Sequence, residues 1–190
     1  MKTKLLMLTV AMSCVFAGNA MALTKDEYKA QKTQISVDYK VNRDKCTALK
    51  ANAKDICVSE AKGTEKVAKA ELEAQYKPSS RNDQKVSVAK ADAAYSTAKQ
   101  KCDDLSGNSK DVCVKDAKAA HVKAKADAKV TKASVDTSKT KVETMTDVKK
   151  DANTEKRDAD YSAAKERCNS LAGTAKDTCL SDAKSKYDMK

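Results

Sequence analysis

The sequence predicts an all-α protein of three tandem antiparallel helical hairpins, elongated and with little globular core. Two observations predict this class. A segment with two cysteines eleven residues apart recurs three times without a gap, and internal repetition of this kind marks tandem structural units. The chain also has no Trp, one Phe and one Pro among 190 residues, so the core is predicted to be thin and the helices slender.

Each copy of the repeat has a Tyr, a Cys seven residues later, a Leu three further on, a Lys-Asp pair, the second Cys and a final Ala-Lys. Apolar residues before the first Cys keep the three-four spacing of a coiled-coil seam, which predicts helices. In the second copy this seam is Val88, Ala91, Tyr95, Ala98, Cys102 and Leu105. The copies span 39–62, 95–118 and 161–184 and read YKVNRDKCTALKANAKDICVSEAK, YSTAKQKCDDLSGNSKDVCVKDAK and YSAAKERCNSLAGTAKDTCLSDAK.

The chain is predicted to reverse between the two cysteines of each copy. On one continuous helix eleven residues would separate them by about 16 Å, and a disulfide needs a Cα distance of about 6 Å. Gly107 and Gly173 suit the left-handed residue that ends a helix, and the first copy has Ala51 there. The next residue is predicted to cap the second helix, with an Asp three residues later completing a capping box. These pairs are Asn52 and Asp55, Asn108 and Asp111, and Thr174 and Asp177.

The cysteines are predicted to pair within each copy. In the second copy they are equally far from the Gly107–Asn108 corner, so they reach the same height on adjacent antiparallel helices. Closing a loop of this length contributes about 3 kcal/mol on the chain-entropy model. The predicted disulfides are Cys46–Cys57, Cys102–Cys113 and Cys168–Cys179.

Residues 1–22 are predicted to be a signal peptide, because two lysines precede a short apolar run at 5–16, and Ala20-Met21-Ala22 then offers the small-x-small pattern of a cleavage site. The run is too short for a membrane anchor, so no transmembrane anchor is expected after processing. The alternative is a lipoprotein signal with Cys14 as the modified residue. Cleavage after Ala22 removes Cys14 and leaves six cysteines, and an even number in an exported chain favours disulfides over free thiols.

The rest of the chain divides at the single Pro, Pro78, and at a polar stretch rich in Thr, Ser, Asp and Lys, which we interpret as a frayed helix or a flexible connector. The predicted units are hairpin 1 at 23–77, a linker at 78–85, hairpin 2 at 86–129, the polar connector at 130–154 and hairpin 3 at 155–190.

Residue types that carry catalysis or bind metals are scarce. The chain has no CxxC pair and one His, His121, whereas structural zinc sites use closely spaced Cys and His ligands. No nucleophile with an adjacent base is apparent. We therefore expect no enzyme activity, no cofactor and no metal site, and we interpret His121 as a residue on the flank of a helix. The alternative, an enzyme or metal carrier, would require free thiols.

Two features suggest binding. Tyr39, Tyr95 and Tyr161 recur one heptad before the first Cys of each copy, either as amphipathic core residues or as aromatic anchors for a partner. The formal net charge is +11, but acidic residues are interleaved along every helix, which argues against nucleic acid. Two interpretations remain: a solvated lysine-rich face with no partner, which we favour, or a surface that binds anionic components of the cell envelope.

The paired-cysteine repeat on an Ala/Lys background resembles a group of small periplasmic proteins of Gram-negative bacteria, often labelled TolA-like cell-envelope proteins. The resemblance implies a helical periplasmic protein with a role in the envelope. We accordingly expect a non-catalytic structural or interaction module of the cell envelope, with an unidentified protein or an anionic envelope component as its partner. The alternatives are a stress-related periplasmic holdase chaperone and a cationic binder of anionic envelope surfaces.

Overall fold

A computed structural model describes residues 23–136 and 142–189, and no β-strand occurs among them. The all-α prediction is confirmed. The predicted signal peptide, including Cys14, lies outside these residues. The six helices are α1 (Lys25–Lys45), α2 (Ala51–Tyr76), α3 (Ser80–Cys102), α4 (Gly107–Val135), α5 (Val142–Cys168) and α6 (Gly173–Lys186), and a single 3-10 turn, Cys46–Ala48, follows α1.

The helices form one antiparallel layer in chain order. Within the described residues each helix contacts only the helices next to it in sequence, so α1 packs on α2, α2 on α3, and so on to α6. The hairpins α1–α2, α3–α4 and α5–α6 each contain one disulfide. This arrangement matches the three tandem hairpins that the repeats predict.

Short-range signals define the helix starts. Thr24 and Glu27 form a capping box, in which the Thr24 hydroxyl accepts from the Glu27 amide at 3.2 Å and the Glu27 carboxylate accepts from the Thr24 amide at 2.8 Å. The Ser79 side chain caps α3 by accepting from the amide of Asn82. Pro78 lies between α2 and α3, where its missing amide hydrogen interrupts no helical ladder.

The core is built from small side chains, as the composition predicts. Helices α2 and α3 approach closely, since a Cβ placed on Gly63 would lie 2.9 Å from the Cβ of Ala93. Such small residues let neighbouring helices pack closely. Besides the cysteines, the buried apolar residues are Ala61, Leu72, Ala89, Ala91, Ala119, Ala126, Ala128, Ala152, Ala163 and Ala183.

The segments between hairpins are more helical than predicted. Only residues 77–79 interrupt the helices α2 and α3, so most of the predicted linker 78–85 belongs to α3. Likewise, α4 extends to Val135 and α5 begins at Val142, so helix covers most of the predicted connector 130–154. The hairpins are not separate arms, because α2 packs on α3 and α4 packs on α5.

Candidate functional site

The three hairpin ends that carry the disulfides share one construction, and we call them the stapled tips. The predicted pairing is confirmed, with Cα–Cα distances of 5.6, 5.6 and 5.7 Å. The first Cys of each pair is fully buried between its two helices. The staple therefore holds the end of each hairpin closed, where the composition supplies little apolar core.

The backbone turns the same way in all three tips. The residue that follows the extended Lys50, Ser106 or Ala172 is left-handed, with φ +49° at Ala51, +55° at Gly107 and +56° at Gly173. The left-handed residue was predicted correctly, but the N-caps were not. No side-chain cap bond occurs at the start of α2, α4 or α6.

The two asparagines predicted as caps instead join neighbouring hairpins. Asn52 donates its side-chain amide to the carbonyl oxygen of Gln100 at 2.7 Å, and Asn108 donates to the carbonyl oxygen of Glu166 at 3.1 Å. Each acceptor lies two residues before the first Cys of the next repeat. The last copy, which has no following repeat, has Thr174 at this position. These bonds place the three stapled tips side by side at one end of the layer.

Each stapled tip exposes a leucine. The amides of Leu49, Leu105 and Leu171 donate to the carbonyl of the first Cys three residues earlier, at 3.1, 3.0 and 3.1 Å. The side chains are 41, 44 and 42% exposed. The predicted seam included Leu105, but α3 ends at Cys102, so the chain leaves the helix before this leucine can reach the neighbouring helix. We call these three residues the leucine row.

Two of the three recurring tyrosines pack against an aromatic ring of the other half of their own hairpin. The ring of Tyr95 stacks on that of His121 with centroids 4.8 Å apart, and Tyr161 meets Tyr187 edge-on at 6.5 Å. Tyr39 is half-buried on α1. Packing of this kind is what the interpretation as amphipathic core residues predicts.

A polar chain that sequence reasoning missed crosses three helices. Lys66 of α2 donates to Asp92 of α3 at 2.6 Å, and Asp92 accepts from Nε2 of His121 on α4, also at 2.6 Å. Burial raises the pKa of Asp92, but the hydrogen bonds from Lys66 and His121, together with the positive charges of Lys66 and Lys125, outweigh it and hold that pKa below its ordinary value. Because the carboxylate is then an acceptor only, the hydrogen must lie on Nε2. Nδ1 of His121 is buried, with no hydrogen-bond partner in the described chain.

The signal for this placement was present in the repeat. His121 follows its Cys113 by eight residues and Tyr95 precedes its Cys102 by seven, so the staple brings the two rings to the same height. The flank interpretation of His121 was therefore incomplete, because its ring is mostly buried, with 11% of the side chain exposed.

A basic groove lies between α4 and α5. Its volume is about 630 Å³, and Val122 and Ala159 contribute apolar surface to its lining. Lys115 and Lys125 line it and form no ion pair with the described part of the chain, while Lys118 lies over the ring of Tyr95 at 5.6 Å. Acidic side chains are also present, since Glu155 pairs with Lys129 at 2.6 Å. The groove is thus electropositive along its α4 wall.

Residues 23–136 and 142–189 contain no group of three or more His, Cys, Asp or Glu side chains that could hold a metal ion. None of the helices described here is long and apolar enough to cross a membrane. The chain matches no protein-family model, no curated protein and no solved structure.

Proposed function

We propose that this chain is a non-catalytic interaction module of the periplasm that binds a partner of the cell envelope through its three stapled tips. Three disulfides suit an oxidising compartment. The signal-like N-terminus and the resemblance to TolA-like envelope proteins support the periplasm and the envelope. The exposed leucines of the stapled tips support the proposal that a partner binds there.

The leucine row is the observation that carries this proposal. Leucine is scarce in the chain, yet every copy leaves one more than two-fifths exposed at the same point of its tip. An exposed leucine that becomes completely buried contributes about 1.5–3 kcal/mol. These leucines have about two-fifths of their surface left to bury, so each would contribute roughly 0.6–1.2 kcal/mol. The staples and the asparagine bonds hold the row in place before binding, which reduces the entropy lost on association.

The test is site-specific crosslinking in cells. A photoreactive amino acid at Leu105 should capture a defined partner, and capture should fall when Leu49 and Leu171 are changed to serine. The matched control carries Val135→Ser, since Val135 is 64% exposed at the opposite end of the layer. Loss of capture in the control as well, or unchanged capture in the double variant, would argue against the leucine row.

A holdase is the second candidate, because an exposed apolar row could also bind unfolded chains. A holdase should suppress aggregation of several unrelated clients at a stoichiometric ratio, and suppression should weaken when all three leucines become serine. A module specific for one partner should leave every client to aggregate. The two functions are therefore separated by the number of clients, not by the residues involved.

A cationic binder is the third candidate, favoured by the unpaired lysines of the basic groove. The protein should then sediment with vesicles that contain anionic lipid, less strongly as salt increases. Changing Lys115 and Lys125 to glutamine should weaken sedimentation. The matched control changes Lys90 and Lys123, which pair with Glu71 at 2.8 Å and Asp160 at 3.1 Å, and so removes the same number of charges. Equal effects of both changes would indicate general attraction by net charge.

A further inference from the structure

The first helix leaves an apolar stripe without a neighbour. Helix α1 lies at the edge of the layer and packs only on α2 within the described residues. At about 3.6 residues per turn, Val37 and Val41 lie opposite Tyr39 and therefore point away from α2. They are 48 and 49% exposed, and Ala30 lies on the same face nearer the start of the helix, with Gln34 between it and the valines.

The repeats show what normally covers these positions. Counted from the first Cys, Val37 and Val41 correspond to Ala93 and Thr97 in the second copy. There, Ala93 lies against Gly63 of α2, and the Thr97 hydroxyl lies 3.4 Å from that of Ser59. In the third copy the corresponding residues are Ala159 and Ala163, together with Ala152 in place of Ala30, and Ala152 and Ala163 are buried. In both later copies a preceding helix occupies the stripe.

The opposite edge of the layer is built differently. Helices α2 and α4 meet the next hairpin through Gly63 and Ala119, which are both buried. The corresponding residue of α6 is Ser185, which is exposed. Likewise, Thr178 stands where the earlier copies have Ile56 and Val112. Repeat arrays need a polar outer face on a terminal repeat, and α6 provides one. The layer is thus closed by polar residues at α6 and remains apolar at α1.

We propose that the stripe of α1 is covered by α1 of a second copy in a parallel, two-fold symmetric dimer. Growth from α1 onto α6 is disfavoured, because the α6 edge is polar, whereas pairing like edges buries both stripes and closes the assembly. Continuity with the interfaces of α3 and α5 identifies the occupant as a helix.

Charge selects the parallel orientation. Asp38 and Lys40 flank the stripe on opposite sides. A two-fold axis parallel to the helices sets Lys40 of each copy beside Asp38 of the other, and it does the same for Asp44 and Lys45. An antiparallel pair would set Lys40 beside Lys40 and Asp38 beside Asp38. Opposite charges that flank a helical seam stabilise one orientation over the other.

Sedimentation equilibrium of the disulfide-bonded protein over a range of concentrations tests the dimer. The wild type should dimerise reversibly, and V37E/V41E should raise the dissociation constant at least about tenfold, because two charges would then lie on the apolar stripe. The matched control is V135E. A wild type that stays monomeric, or a dimer that V135E weakens as much as V37E/V41E does, would overturn the proposal.

A cysteine at position 37 tests the orientation. In the parallel dimer the two copies of residue 37 face each other across the axis, so V37C should form a disulfide-linked dimer under mild oxidation. V135C, which is more exposed, should crosslink only by random collision. Crosslinking of V37C no faster than V135C would overturn the parallel dimer. A wild type that does not dimerise, combined with capture of a different protein by a crosslinker at position 37, would overturn the dimer and assign the stripe to a foreign helix.

Discussion

Ala51 provides a test of how the turn in each tip is stabilised. It occupies the left-handed region with φ +49°, and the corresponding residues of the other tips are Gly107 and Gly173. We expect A51G to stabilise the protein and G107A and G173A to destabilise it. The three substitutions act at equivalent turns, so they compare one backbone position in three settings.

The magnitude follows from two opposing contributions. A residue with a Cβ costs about 1–2 kcal/mol in the left-handed region relative to an ordinary conformation. Glycine loses more conformational entropy on folding than alanine does, which offsets about 0.4–1 kcal/mol of this cost. No atom lies within 4 Å of a Cβ built on Gly107 or Gly173, so packing makes no contribution there. The free energy of unfolding should therefore rise by about 1 kcal/mol in A51G and fall by about 1 kcal/mol in G107A and G173A.

Urea unfolding followed by far-ultraviolet circular dichroism measures this change, and thermal melting should show a shift of about 2–4 °C for a domain of this size. The matched control is A53G, two residues further along α2, where the backbone is helical. Glycine lowers stability by up to about 1 kcal/mol there. The reasoning is refuted if A51G and A53G change the free energy of unfolding in the same direction.

Two other predictions rest on the packing. Among the described residues, α1 packs only on α2, so C46S/C57S should increase hydrogen exchange in α1 more than C102S/C113S does in α3. Each lost staple should cost about 3 kcal/mol, and equal effects on the two helices would contradict this. The pKa of Asp92 is lower in the folded than in the unfolded protein. Its ionised form therefore stabilises the fold above the unfolded pKa of about 4. This stabilisation is lost as the pH falls through the folded pKa. D92N should therefore be less stable than the wild type by about 1 kcal/mol at pH 6, and the difference should disappear near pH 2; an offset that persists there would show that Asp92 acts through packing alone.

The hairpins and their disulfides could be predicted because the constraint is local. Eleven residues of straight helix cannot bring two sulfurs together, so Cys102 and Cys113 require a reversal between them, and glycine indicates where it occurs. The spacing of the two cysteines and the left-handed backbone of one residue determine the turn and the disulfide, and both lie within a dozen residues. No knowledge of the neighbouring hairpins is needed.

The packing between hairpins could not be predicted, because alanine carries little directional information. Ala93 and Ala119 lie on buried faces, whereas Ala120 and Ala124 of the same layer are exposed, and nothing in a run of Ala and Lys separates these cases. The prediction that Asn52 caps α2 was wrong for a related reason. A side-chain amide beside a helix start is an equally good cap or a donor to a neighbouring helix, and only the tertiary arrangement decides.

The order of the cysteines has a consequence for biogenesis. Every native bridge joins a cysteine to the next one in the chain. In the export that we propose, an oxidase that links successive thiols as the polypeptide emerges from its N-terminus would therefore generate the correct bonds, and reshuffling would be unnecessary. Maturation of this protein should accordingly require a thiol oxidase but proceed normally without a disulfide isomerase.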